Sequence, residues 1–66
     1  PVSGVLYLGD RVTVDEGHGP GHDWEGIVQR FYTDDVGGLG VARVDSRGRV
    51  LAQVYCQWNQ VRRADV

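Results

Sequence analysis

The chain has 66 residues, a net charge of −2, seven arginines with no lysine, and a single cysteine. That length makes one small domain with little room for a core, so contacts with further subunits or a partner are expected to supply part of its stability. One cysteine excludes an internal disulfide and fits a reducing, cytoplasmic setting, the charge balance argues against binding bulk nucleic acid, and no apolar run is long enough to span a membrane.

In chain order, PVSGVLYLG lacks the basic start and the apolar length of a signal peptide. It reads as an N-terminal arm over residues 1–8, with 9–66 as the folded domain. Ten glycines and two prolines cut the chain into short segments. No segment carries a 3.6-residue period, so the reading is all-β. Gly9-Asp10 is a turn. RVTVD follows as a strand, with Val12 and Val14 on one face. EGHGPGHD is a loop. WEGIVQRFYT is the longest strand, in which Gly26 marks a bulge or a close backbone approach, and in which Phe31 and Tyr32 face opposite ways. DDVGG turns into LGVARVD, where Val41 faces opposite to Ala42 and Val44 opposite to Arg43. Asp45-Ser46-Arg47-Gly48 is a tight hairpin with Gly48 able to take a left-handed conformation. RVLAQVY is the fourth strand, QWNQ a single helical turn, and VRR a short last strand.

Five short strands, a long first loop, two tight hairpins and a 3-10 turn before the last strand predict a small five-stranded SH3-like barrel, a closure that also protects strand edges. Its core should draw on Val12, Val14, Val28, Val44, Val50, Ala52 and Val54. On the fourth strand Leu51, Gln53 and Tyr55 then face away from that core.

Two stretches carry resemblances. GDRVTVDEGHGPGHDWEGIVQRF resembles a KOW-type motif through Gly9, Asp10, Val12, Val14, Gly26 and Val28, which implies contacts with RNA or protein. A longer similarity runs through GDRV at 9–12, Trp24-x-Gly26, the pair Phe31-Tyr32, Gly40-x-Ala42 and Gln53-Val54-Tyr55. These positions resemble the plasmid-borne, trimethoprim-insensitive type II dihydrofolate reductases, whose Val-Gln-Ile-Tyr signature is matched by Ala52-Gln53-Val54-Tyr55. The resemblance implies an SH3-like barrel working as a tetramer around a pore, with NADPH as cofactor and dihydrofolate as substrate. Gln53 and Tyr55 would then be the catalytic-site residues, and Gln53, Val54 and Tyr55 would hold the cofactor. That family places a lysine where this chain has Val14, and its first loop is shorter. With no lysine in the chain, Arg11 or Arg49 would have to meet the anionic groups of cofactor and folate.

The remaining residues give further expectations. An amide such as Gln53 can donate and accept at once, and a cofactor that carries its own hydride chemistry asks the protein mainly for orientation. Trp24 and Trp58 read as structural aromatics of the core or an interface, or, where exposed, as an aromatic binding surface made of Trp24, Tyr32 and Trp58. His18 and His22 have metal-ligand chemistry, but they sit in a Gly-Pro loop without a fixed scaffold, so no metal is expected. Arg43, Arg47, Arg49, Arg62 and Arg63 would make a basic stripe if they clustered. Seven carboxylates, Asp10, Asp15, Glu16, Asp23, Glu25, Asp34 and Asp35, fill the first half of the chain. Cys56 has no nucleophile's neighbours in sequence and reads as a buried small hydrophobe. The first expectation for function is a non-catalytic binding or assembly module acting as a homo-oligomer. Next come a divergent reductase of the type II kind and a KOW-like nucleic-acid module.

Overall fold

A computed structural model describes residues 5–64. The fold is all-β: β1 (Arg11–Val14), β2 (Trp24–Phe31), β3 (Leu39–Val44), β4 (Val50–Cys56) and β5 (Val61–Arg63), with one 3-10 turn, Trp58–Gln60, before β5. The strands pair antiparallel in the order β4-β3-β2-β1-β5. Hydrogen bonds do not close the sheet into the expected barrel, because β4 and β5 are its two edges. Among the described residues no helix is long and apolar enough to cross a membrane.

Alternation places the inward residues. Val12 and Val14 of β1, Trp24 and Val28 of β2, Leu39 and Val41 of β3 and Cys56 of β4 form one buried cluster, against which Leu6, Phe31, Val54 and Val61 pack. Residues from every strand and from the arm thus meet in one core, so the sheet wraps around it. Residues just before β1 are held as well. The Tyr7 amide donates to Asp10 Oδ2 at 2.8 Å and the Gly9 amide to the Val28 carbonyl at 2.8 Å. Within the expected arm Leu6 thus packs on the core and Tyr7 is hydrogen-bonded to Asp10, while residues 1–4 lie outside the described residues.

Turn chemistry follows the sequence closely. Asp45 Oδ1 accepts from the amides of Arg47 and Arg49, both at 2.9 Å, and Gly48 takes φ +83°. Asp34 Oδ1 accepts from the amides of Val36 and Gly37 before two positive-φ glycines, Gly37 and Gly38. These are the side chain-to-backbone bonds that make aspartate a turn former.

Two register shifts correct the predicted core. Val28 pairs with Val41 and Arg30 with Gly40, so Gln29 is an extra residue in β2. Arg43 pairs with Ala52 and Val44 with Val50, so Leu51 is an extra residue in β4. On both sides of that second bulge β4 runs past the core. Val50 is 57% exposed and Ala52 is also exposed, contrary to expectation, while Val54 is half-buried against the cluster. Val44 is buried as expected, though outside that cluster, as is Ala42. Gly26 is not the bulge. It is a close approach: a Cβ there would lie 2.7 Å from the Ala42 carbonyl oxygen and would also strike Val41 Cγ1.

Cys56 is buried, and burial pushes its thiol up from the ordinary value near 9, with the Glu16 carboxylate adding to the shift. A raised folded-state value means that the unfolded chain loses this proton first. The stability tied to the neutral thiol is therefore whole below the ordinary thiol range and is lost as pH rises through the raised value. Urea midpoints measured from neutral to alkaline pH should fall in the native chain. In Cys56→Ala the curve should start lower and lose that part of the slope; equal slopes in the two proteins would contradict the burial of the neutral thiol.

Candidate functional site

The bulge at Gln29 shapes an open concavity on the sheet. Without it, Arg30 would share the inward phase of Val28. With one residue inserted, Phe31 turns to the core opposite Leu39, and Arg30 moves to the outer face opposite Gly40. On β4, Gln53 and Tyr55 lie on that same outer face, paired with Ala42 and Gly40. The result is an open depression of about 510 Å³ lined by Gln29, Arg30, Tyr32, Gly40, Val41, Gln53, Val54 and Tyr55. Its volume falls in the range of sites for a single small ligand.

Each wall has a distinct chemistry. The Arg30 guanidinium lies 5.7 Å from the centroid of the Tyr32 ring, within cation–π range. Tyr32 meets Tyr55 with ring centroids 5.4 Å apart, tilted by 57°. The Tyr55 hydroxyl donates to the Gly37 carbonyl at 2.6 Å, so its proton is committed and it can meet a ligand only as an acceptor. Gln53 is exposed, and its amide has no hydrogen-bond partner among the described residues, which leaves both donor and acceptor available. Gly40 forms the floor, where a Cβ would sit at ordinary contact, 3.5 Å from Arg30 Cβ. Together these groups offer one cation, a pair of aromatic faces and an amide, a set suited to a planar polar ligand that carries negative charge.

The expected site residues divide. Gln53, Val54 and Tyr55 are brought together with Tyr32. Neither Arg11 nor Arg49 lines the depression. Arg11 is on β1, 3.9 Å from Glu25, and Arg49 is in the β3–β4 hairpin. The cation that does line it, Arg30, was not anticipated. Its signal was present, since Val28 and Phe31 cannot both be inward in a regular strand, and only an extra residue between them reconciles the two.

The aromatic surface also divides. Trp24 is 7% exposed, donates its indole N–H to Glu16 Oε2 at 3.1 Å and lies under the Arg43 guanidinium at 5.2 Å, so it is a core residue and not a surface ring. Trp58 is 47% exposed and stacks almost parallel on Phe31, with centroids 5.7 Å apart. Phe31 and Tyr32 face opposite ways as expected, and so Trp58 and Tyr32 belong to different surfaces.

The arginines do not form one stripe. Arg62 pairs with Asp23 at 2.7 Å and Arg63 with Asp10 at 3.4 Å on the β5 edge, whereas Arg47 and Arg49 lie in the hairpin that leads into the β4 edge. His18 and His22 have ring centroids 6.4 Å apart, and among the described residues no group of three or more histidine, cysteine or carboxylate side chains converges. In comparisons with known proteins, no protein family, curated protein or solved structure matches this chain.

Proposed function

We propose that this chain is a small binding module of a reducing, cytoplasmic setting that assembles with copies of itself and receives a planar, anionic small molecule on the outer face of β2, β3 and β4. The observation that carries this reading is the convergence of Arg30, Tyr32, Gln53 and Tyr55 on one concavity with a free amide. The exposed β4 edge, with Leu51 59% and Tyr55 45% exposed, supports assembly, because an unpaired apolar edge is left open in a monomer.

A second reading, a reductase of the type II dihydrofolate kind, has one specific observation in its favour. The Ala52-Gln53-Val54-Tyr55 segment supplies the wall of the depression, and Arg30 offers the positive charge that a lysine provides in that family. NADPH would supply the hydride. Gln53 would hydrogen-bond a carboxamide or a pterin edge, Tyr32 and Tyr55 would flank a ring, and Arg30 would attract a phosphate or a carboxylate. A single depression of about 510 Å³ suits one ligand, so placing two face to face requires the faces of several copies to meet. Reductase activity therefore stands or falls with assembly.

NADPH and dihydrofolate are the probes. Titration of either into the labelled chain, followed by amide NMR, should move the signals of Gly40, Gln53 and Tyr55 first. Gly40→Leu, whose Cβ meets only ordinary contacts, should fill the depression and abolish the shifts of Gln53 and Tyr55, with circular dichroism checking that the fold persists. Absence of shifts with both compounds would sink the small-ligand reading for this chemistry. Binding without NADPH oxidation supports the module. Oxidation that requires dihydrofolate, resists trimethoprim and vanishes in Gln53→Ala supports the reductase.

A further inference from the structure

The β2–β3 turn and the 3-10 turn carry a second feature. Val36 and Gly38 of the β2–β3 turn and Gln57, Trp58 and Asn59 line a shallow, mainly apolar groove of about 300 Å³. Val36 is 75% exposed there and Trp58 47%. Beyond Gln57 and Asn59 the groove meets a depression walled by Asp15 and Glu16, and the β2–β3 turn contributes Asp34 and Asp35. None of these four carboxylates has an ion-pair partner among the described residues. The Trp58 indole N–H likewise has no acceptor there.

The other end of the molecule is its complement. The β3–β4 hairpin and the start of β4 present Arg47 and Arg49, both without an ion pair, beside Val50 at 57% and Leu51 at 59% exposure. Asp45, whose carboxylate accepts from the Arg47 and Arg49 amides, offsets one of the two charges and leaves the hairpin net positive. Leu51 and Cys56 are five residues apart on one strand, roughly 17 Å, and Trp58 lies beyond Cys56. The hairpin therefore cannot fill its own copy's groove. One chain thus carries two exposed apolar patches of opposite charge at opposite ends.

We propose that the β3–β4 hairpin of one copy docks in the Trp58 groove of a second, with Val50 and Leu51 against Val36 and Trp58 and with Arg47 and Arg49 among the acidic residues. The contact is head-to-tail, so repetition gives a ring where the rotation closes and a filament where it does not. This deepens the assembly part of the proposed function and leaves the ligand part independent.

Sedimentation equilibrium of the full chain over a wide concentration range, at low and high salt, tests it. The native chain should associate as concentration rises and dissociate with added salt. Arg47→Glu with Arg49→Glu, and separately Asp15→Arg with Asp35→Arg, should each weaken association about tenfold or more, because the first makes like charges meet and the second cancels the acidic charge of the groove. An equimolar mixture of these two double variants should form pairs again, because the native hairpin of the groove variant meets the native groove of the hairpin variant. Leu51→Asn leaves charge unchanged and should also weaken association, which keeps the test open if a double variant fails to fold by circular dichroism. Variants that associate like the native chain, or a mixture that stays monomeric, would overturn the docking and leave assembly to another surface. A native chain that is monomeric throughout would overturn docking and assembly together, while the ligand titration would still stand as its own test.

Discussion

Gly26→Ala should bring the chain to the edge of unfolding, with a loss of about 3 kcal/mol of stability. The position lies mid-strand in β2, opposite Val12 on one side and Arg43 on the other, and is buried. An added Cβ would stand 2.7 Å from the Ala42 carbonyl oxygen and 3.2 Å from Trp24 Cζ3. The first neighbour is backbone of a central strand and the second a ring fixed by its bond to Glu16. Neither can swing aside as a flexible side chain would, so the sheet itself has to move. A domain of 66 residues holds about 3–10 kcal/mol in all, which makes this loss a large share of the total. Urea denaturation gives the number. Gly40→Ala is the control, since a Cβ at that site meets only ordinary contacts, 3.5 Å and beyond; it should cost no more than about 1 kcal/mol. Similar midpoints for the two variants would show that β2 and β3 are not as close at Gly26 as the structure has them.

That contrast bears on what was readable in advance. Strand positions, the Asp45 hairpin, the 3-10 turn and the inward valines of β1 follow from alternation and turn residues, because each depends on a few neighbouring side chains. The two bulges do not. Gln29 and Leu51 are ordinary strand residues, and what makes each of them extra is the register of the partner strand, a long-range property. The consequences are specific. The phase shift at Gln29 delivers Arg30 to the ligand face, and the one at Leu51 takes Val50 out of phase with Val54 and Cys56. The role of Trp24 was likewise split between surface and core on paper. Its acceptor, Glu16, lies eight residues away across a glycine-rich loop whose path local propensity does not fix. Grouping Gln53, Val54 and Tyr55 was possible because all three sit on one unbroken strand segment beyond the bulge.

Gly38→Ala should damage both stability and the ligand face. Gly38 has φ +97°, which an alanine adopts at a cost of about 1–2 kcal/mol. Its Cβ would further fall 2.5 Å from the Tyr55 hydroxyl oxygen and 2.8 Å from both Tyr55 Cζ and the Cys56 carbonyl oxygen. The hydroxyl is the atom that holds Tyr55 to the turn through Gly37, so the ring has to leave its place beside Tyr32. We expect a total loss of about 3 kcal/mol, the sum of backbone strain and displaced contacts. Gly37→Ala separates the two causes. Gly37 also has positive φ, +71°, but nothing lies within 4 Å of its would-be Cβ, so it should show the strain alone. Tyr55→Phe by itself should cost about 1 kcal/mol for the lost hydrogen bond. In the double variant Gly38→Ala with Tyr55→Phe the crowded oxygen is gone, so its loss should fall short of the two single losses added together. Additive losses would mean that Tyr55 is not what Gly38 makes room for. Thermal melts of the four variants and the native chain decide this, and the Gln53 amide signal, two residues from Tyr55, reports whether the wall of the depression has moved with the ring.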